Sequence, residues 1–198
     1  MTYDTILAIA LFSLVGSVSP GPSNFMLLAS GTNFGFRRTV PQILGITIGL
    51  SSVLLAVGFG LGALLTAYPP LALALKVAGG AYLLYLAWRI AMSRSVSNDD
   101  ASAARPLTFL ESAAFQWVNP KAWVAALTAM AAYASAENPF ASVMLITLVV
   151  AVVNLPSVAV WAGFGVALRR FLSDPARLKW FNIVMALLLV ATLWPLLK

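Results

Sequence analysis

Neither cysteine nor histidine occurs anywhere in the 198 residues. Without thiols there are no disulfides, no thiolate metal sites and no sulfur nucleophile. Without imidazole the commonest general base and metal ligand is missing. That excludes a Ser-His protease or a His/Asp metalloprotease within a membrane, so no enzyme is expected, and no cofactor. Charge is scarce too: 9% of residues are Asp, Glu, Lys or Arg, against about 25% in soluble domains. The net charge of +6 invites a nucleic-acid reading, but no basic stripe able to track phosphates exists.

What is present is apolar. Hydrophobic residues make up 61% of the chain, and the mean hydropathy is +0.93. Too little polar side chain remains to cover a water-facing surface, so lipid must cover it. About 20 apolar residues carry a helix across the hydrocarbon core. Windows of that length give six runs: 5–33, 41–66, 71–92, 107–133, 140–168 and 178–197. Their continuity, without period-2 alternation, argues against a closed barrel. The first run lacks a basic n-region and is read as a retained span rather than a signal peptide.

Nine cations (Arg37, Arg38, Arg89, Arg94, Arg105, Arg169, Arg170, Arg177 and Lys179) fall on one side of these spans, against Lys198 on the other. The positive-inside rule then places both termini outside.

The spans repeat. A proline break recurs at an offset of 100, from Pro20 to Pro120. A Gly-Phe-Gly stretch recurs at 105, from Gly58 to Gly163, and a Leu-Lys pair at 103, from Lys76 to Lys179. This order predicts a three-span unit used twice, residues 1–93 and 107–198, joined by a cytoplasmic loop at 94–106. An odd number of spans inverts the second copy, a design characteristic of secondary transporters. The expected fold is therefore an all-α polytopic membrane protein. It has six transmembrane helices as two inverted three-helix repeats, with helices 1 and 4 broken at mid-membrane.

The breaks carry the chemistry. Proline removes a helical hydrogen bond and clashes one turn back. In lipid such a break persists only where protein or a water-filled cavity serves the freed groups. Pro20 and Pro22 lie about 15 residues into span 1 and Pro120 about 13 into span 4, roughly 20 Å deep. Ser19 or Gly21 can cap the half-helix that starts at Pro22, and Asn119 the one that starts at Pro120. Two half-helix N-termini then converge on one site that suits a carboxylate, with Lys121 adding a full charge. Carbonyls freed at Gly16, Val18 and Gln116 join side-chain oxygens of Ser23, Asn24, Gln116 and Asn119 as acceptors for an ammonium. The pairing fits a zwitterionic amino acid.

Other features have plainer readings. Lys76 is placed as a candidate contact, but it sits near the end of span 3, where snorkelling is easy. Glu111 completes Thr108-x-x-Glu111, a capping box. Gly45-x-x-x-Gly49, Gly79-Gly80 and both Gly-Phe-Gly stretches read as close-packing points. Asn154-x-Pro156 is open between a kink that turns span 5 into the cavity and packing. No Asp or Glu lies at mid-depth. Proton coupling would therefore fall to a lysine or to Glu111.

Several runs resemble the LysE/RhtB superfamily of bacterial amino-acid exporters. These are Ser19-Pro20-Gly21-Pro22-Ser23-Asn24, Gly35-Phe36-Arg37 and Gly45-Ile46-Thr47-Ile48-Gly49. The run Lys76–Arg89 is similar to its third-span signature, and Phe115-Gln116-Trp117-Val118-Asn119-Pro120-Lys121 to its fourth-span motif. The likeness covers nearly the whole chain. It implies alternating-access export of a small amino acid or derivative (cysteine, O-acetylserine or a threonine/homoserine-like compound) across the bacterial inner membrane. The partners expected are that substrate and membrane lipid, with a homodimer left open. Ala87-Trp88-Arg89-Ile90 and the run from Asn182 to Leu189 resemble the cysteine/O-acetylserine branch. Ser19, where threonine is common, and the short 94–105 loop depart from the pattern. The competing reading is an ion or heavy-metal exporter of related design. It lacks the carboxylate, thiolate or imidazole cage such cations need.

Overall fold

The computed structural model describes residues 2–93 and 105–194. Most of the expected 94–106 loop therefore lies outside the described residues, as does the end of the last span. Every regular element described is helical: α1 (Tyr3–Val18), α2 (Pro22–Phe34), α3 (Phe36–Ala56), α4 (Gly62–Ala67), α5 (Pro69–Ala91), α6 (Phe109–Val118), α7 (Pro120–Tyr133), α8 (Pro139–Arg169) and α9 (Pro175–Ala191). A π-turn at Val57–Leu61 joins α3 to α4, and a 3-10 turn at Phe171–Ser173 precedes α9.

The helix starts are written locally. Proline, pre-set to helical φ and lacking an amide to satisfy, opens α2, α5, α7, α8 and α9. Asp174 caps α9, its Oδ1 accepting from the amides of Ala176 and Arg177 at 2.9 Å. The Thr108–Glu111 capping box opens α6 as expected.

Among the described residues, three stretches are long and apolar enough to cross a membrane: Phe36–Leu64, Leu73–Ala91 and Pro139–Arg169. A fourth results if α1 and α2, bent by 58° at their break, form one span. The chain is thus a multi-pass membrane protein. Of the other two expected spans, one is divided at Asn119 into α6 and α7, and α9 has 17 residues. Pro156 lies inside α8 without interrupting it.

Both halves of the first broken span lie along α8, α6 crosses α3, and α5 pairs with α9. Glycine makes the closest crossings possible. A Cβ at Gly45 or Gly49 would strike the backbones of Phe109 and Ala113 on α6. At Gly31 and Gly165 it would strike those of Ala162 and Leu28, where α2 meets α8. Without a hydrophobic drive between helices in lipid, such backbone proximity is a main source of association. The Gly-Phe-Gly stretches divide. Gly58 abuts Val143 and Gly165 packs as described, whereas Gly163 and Gly60 have open space. Gly60 is needed for its backbone instead, at φ 108 in the π-turn.

A buried polar clasp closes the bundle. Asn33 Nδ2 donates to Asn182 Oδ1 at 2.9 Å, and Asn182 Nδ2 donates back to Asn33 Oδ1 at 3.2 Å and to the Ser93 carbonyl at 2.7 Å. It joins α2, α9 and the chain just after α5.

Gly31→Leu or Gly45→Leu should destabilise the purified protein by about 1–3 kcal/mol or more, as overpacked cores do. Gly163→Ala should leave thermal unfolding in detergent nearly unchanged. Equal melting of all three variants would refute the glycine-contact account.

A cavity between two broken helices

The break after α1 exposes carbonyls that its own helix no longer serves. Asn24, in the first turn of α2, reaches back: its Nδ2 donates to the carbonyls of Ser17 and Ser19, each at 2.8 Å. Ser19 Oγ donates to the Gly16 carbonyl at 2.9 Å. Gly21 is the N-cap residue of α2, its backbone extended.

The second break is capped from within. Asn119 Oδ1 accepts from the Lys121 amide at 3.1 Å, and the amides of Ala122 and Trp123 donate to the Asn119 carbonyl. At α2, the amides of Asn24 and Phe25 donate to the Gly21 carbonyl. Several first-turn amides are therefore engaged at both helix starts, leaving fewer for an anion than a bare helix terminus offers. The Gln116 carbonyl is occupied as well, by the Asn119 amide at 3.3 Å.

Side chains tie the breaks together. Ser23 Oγ accepts from Gln116 Nε2 at 3.2 Å and from Asn119 Nδ2 at 3.3 Å, and donates to Gln116 Oε1 at 3.4 Å. Lys121 crosses the same gap. Its Nζ donates to the Ser19 carbonyl at 2.6 Å, to Ser19 Oγ at 2.9 Å and to the Pro20 carbonyl at 3.4 Å. A Cβ on Gly21 would stand 2.9 Å from Lys121 Cδ, so the missing side chain gives the lysine its passage.

Around these groups lies a cavity that is open to solvent on one side. Gly21, Ser23, Asn24, Gln116, Asn119 and Lys121 line its polar side, and apolar side chains such as Phe12, Leu50 and Leu54 make up most of the remaining wall. Ser19 and Pro20 join through the Lys121 ammonium, while Pro22 and Pro120 start the helices that frame it. Lys76 is not brought there; it is exposed on α5 and absent from the lining. Glu111 is also elsewhere, bound to Arg105 by two hydrogen bonds of 2.7 Å, with Arg89 3.6 Å away.

Sequence reasoning missed part of the wall. Ser13 and Ser17 on α1 line the cavity, as does Asn154 on α8, which the sequence left open between the cavity and packing. Asn154 Nδ2 donates to Ser17 Oγ at 2.9 Å, and Asn154 Oδ1 accepts from Thr47 at 3.0 Å. The available signal was the i, i+4 serine pair in an otherwise greasy helix, together with the sole amide side chain in α8.

The sequence matches the model of the LysE type translocator over residues 14–192. It is 32% identical over 192 residues to proteins of Escherichia coli (strain K12), Shigella sonnei and Shigella flexneri. Each is named a cysteine/O-acetylserine efflux protein, and each alignment covers 96% of both chains. No solved structure matches. The match spans both helix breaks and nearly all of the cavity lining, and the chain belongs to the LysE family of translocators.

Proposed function

We propose that the protein is a secondary transporter exporting a small amino acid or derivative across the bacterial inner membrane, with the central cavity as its binding site. The observation that carries this reading is a cavity walled by both helix breaks and holding one cation among neutral amide, hydroxyl and carbonyl groups. A hydrated solute at membrane depth needs such hydrogen-bonding replacements for water. The naming of the relatives for cysteine/O-acetylserine efflux favours that substrate class.

On this reading six spans form two inverted repeats, α1–α5 and α6–α9. In each, the first helix is broken and crosses the long helix of the other repeat. Alternating access follows as rocking of one repeat against the other about the cavity. Both termini face outward. Ser23, Asn24, Gln116 and Asn119 orient the substrate, and Lys121 meets its carboxylate. The ion-exporter alternative fares poorly, because no Asp or Glu is among the lining residues.

Efflux of a labelled amino-acid panel from proteoliposomes tests the function. Asn119→Ala and Lys121→Ala should each lower efflux about tenfold or more, the equivalent of about 1.4 kcal/mol. Unchanged export in both variants would sink the site assignment.

The cysteine-free chain also permits a topology test. In intact cells an impermeant maleimide should label Thr2→Cys and Glu137→Cys but spare Arg38→Cys and Arg170→Cys. The reverse pattern would overturn the outward termini.

A further inference from the structure

The Lys121 ammonium has three protons to donate, and three acceptors receive them: the Ser19 carbonyl, Ser19 Oγ and the Pro20 carbonyl. All three belong to the opposite broken helix. None is a carboxylate, and no carboxylate lines the cavity. Both ion pairs among the described residues join Glu111 to Arg89 or Arg105, away from this site. Lys121 therefore brings a positive charge that the surrounding dipoles solvate but no anion among the described residues neutralises.

We propose that this acceptor cradle is the subsite for the substrate's ammonium, and that Lys121 occupies it as a tethered surrogate which a zwitterion displaces. The proposal rests on the exporter reading above. An entering amino acid supplies the missing anion, so its carboxylate draws Lys121 off the cradle. Its own α-ammonium takes the vacated acceptors. Hydrogen bonds to the Ser19 and Pro20 oxygens are kept, and an ion pair is added.

Compounds bearing one of the two charges fail for different reasons. An amine without a carboxylate must compete with a cation held at high effective concentration by its tether. A carboxylate without an amine would pull Lys121 away and leave the Pro20 carbonyl without a donor and the Ser19 carbonyl with Asn24 alone. The exchange selects for zwitterions. It also removes one of the direct ties between the two breaks, leaving those through Ser23, so occupancy loosens one repeat from the other.

The test is competition for binding of labelled O-acetyl-L-serine to the purified full chain. The competitors are 2-aminoethyl acetate, which lacks the carboxylate, and 3-acetoxypropionate, which lacks the amine. For the wild-type protein each should bind at least about tenfold more weakly than O-acetyl-L-serine. In Lys121→Met the cradle stands open, and 2-aminoethyl acetate should bind as well as the amino acid.

Lys121→Cys carries the test independently of that variant's folding. Reaction with 2-aminoethyl methanethiosulfonate rebuilds a tethered ammonium and should restore discrimination, whereas the sulfonatoethyl reagent should not. Wild-type discrimination in Lys121→Met, or no restoration by the ammonium reagent, overturns the surrogate role alone. Wild-type protein that binds no member of the amino-acid panel overturns the exporter reading, and this inference with it.

Discussion

A backbone carbonyl that a helix break leaves without its amide must find another donor, and the centre of this protein is organised around carbonyls in that position. Breaking a helix at Pro20 and Pro22 frees acceptors at Ser17, Ser19 and Pro20, and each must find a donor. Asn24 serves two of them from the next helical turn. The Pro20 carbonyl and a second bond to Ser19 are served by Lys121, a residue from the other half of the chain. A local defect in one helix is thus completed by a distant one. Its stability depends on how the two halves sit.

The same coupling runs the other way through Ser23, which joins the amides of Gln116 and Asn119 across the gap. Such contacts tolerate little drift, since hydrogen bonds weaken steeply as distance and angle depart from their optimum. The glycine crossings supply the required rigidity. With α6 pressed on α3 at Gly45 and Gly49, and α2 on α8 at Gly31 and Gly165, the half-helices that carry the break residues have fixed neighbours. Backbone-to-backbone packing outside the cavity holds the polar geometry within it.

How much of this the sequence disclosed follows the range of the interaction. The proline breaks, the Asn119 cap, the Thr108–Glu111 box and the proline helix starts were legible because each is settled within one helical turn. The destination of Lys121 was not. Its partners are about a hundred positions away, and the sequence shows a cation near a helix start, which points to an anion rather than to carbonyls. Ser13 and Ser17 were hidden, and Asn154 left undecided, for a related reason, since a hydroxyl or amide in an apolar helix reads equally as packing until its facing helix is known. Gly60 and Gly163 looked like their packed counterparts Gly58 and Gly165. Which glycine meets a neighbour depends on helix rotation, and the local sequence does not encode that.

The absence of a carboxylate beside Lys121 then takes on a physical sense. A fixed Asp or Glu in the cavity would form a permanent ion pair with Lys121 at low dielectric. A substrate carboxylate would have to break that pair before gaining anything. Carbonyl and hydroxyl dipoles hold the ammonium more weakly, because each carries only partial charge. They keep it solvated while the cavity is empty and release it once a full negative charge arrives. Neutral groups are thus the better lining for a site that must both bind and let go. On this account the unneutralised charge, which would be a defect in a structural core, makes occupancy by a zwitterion more favourable than the empty state and ties that occupancy to a loosened contact between the broken helices.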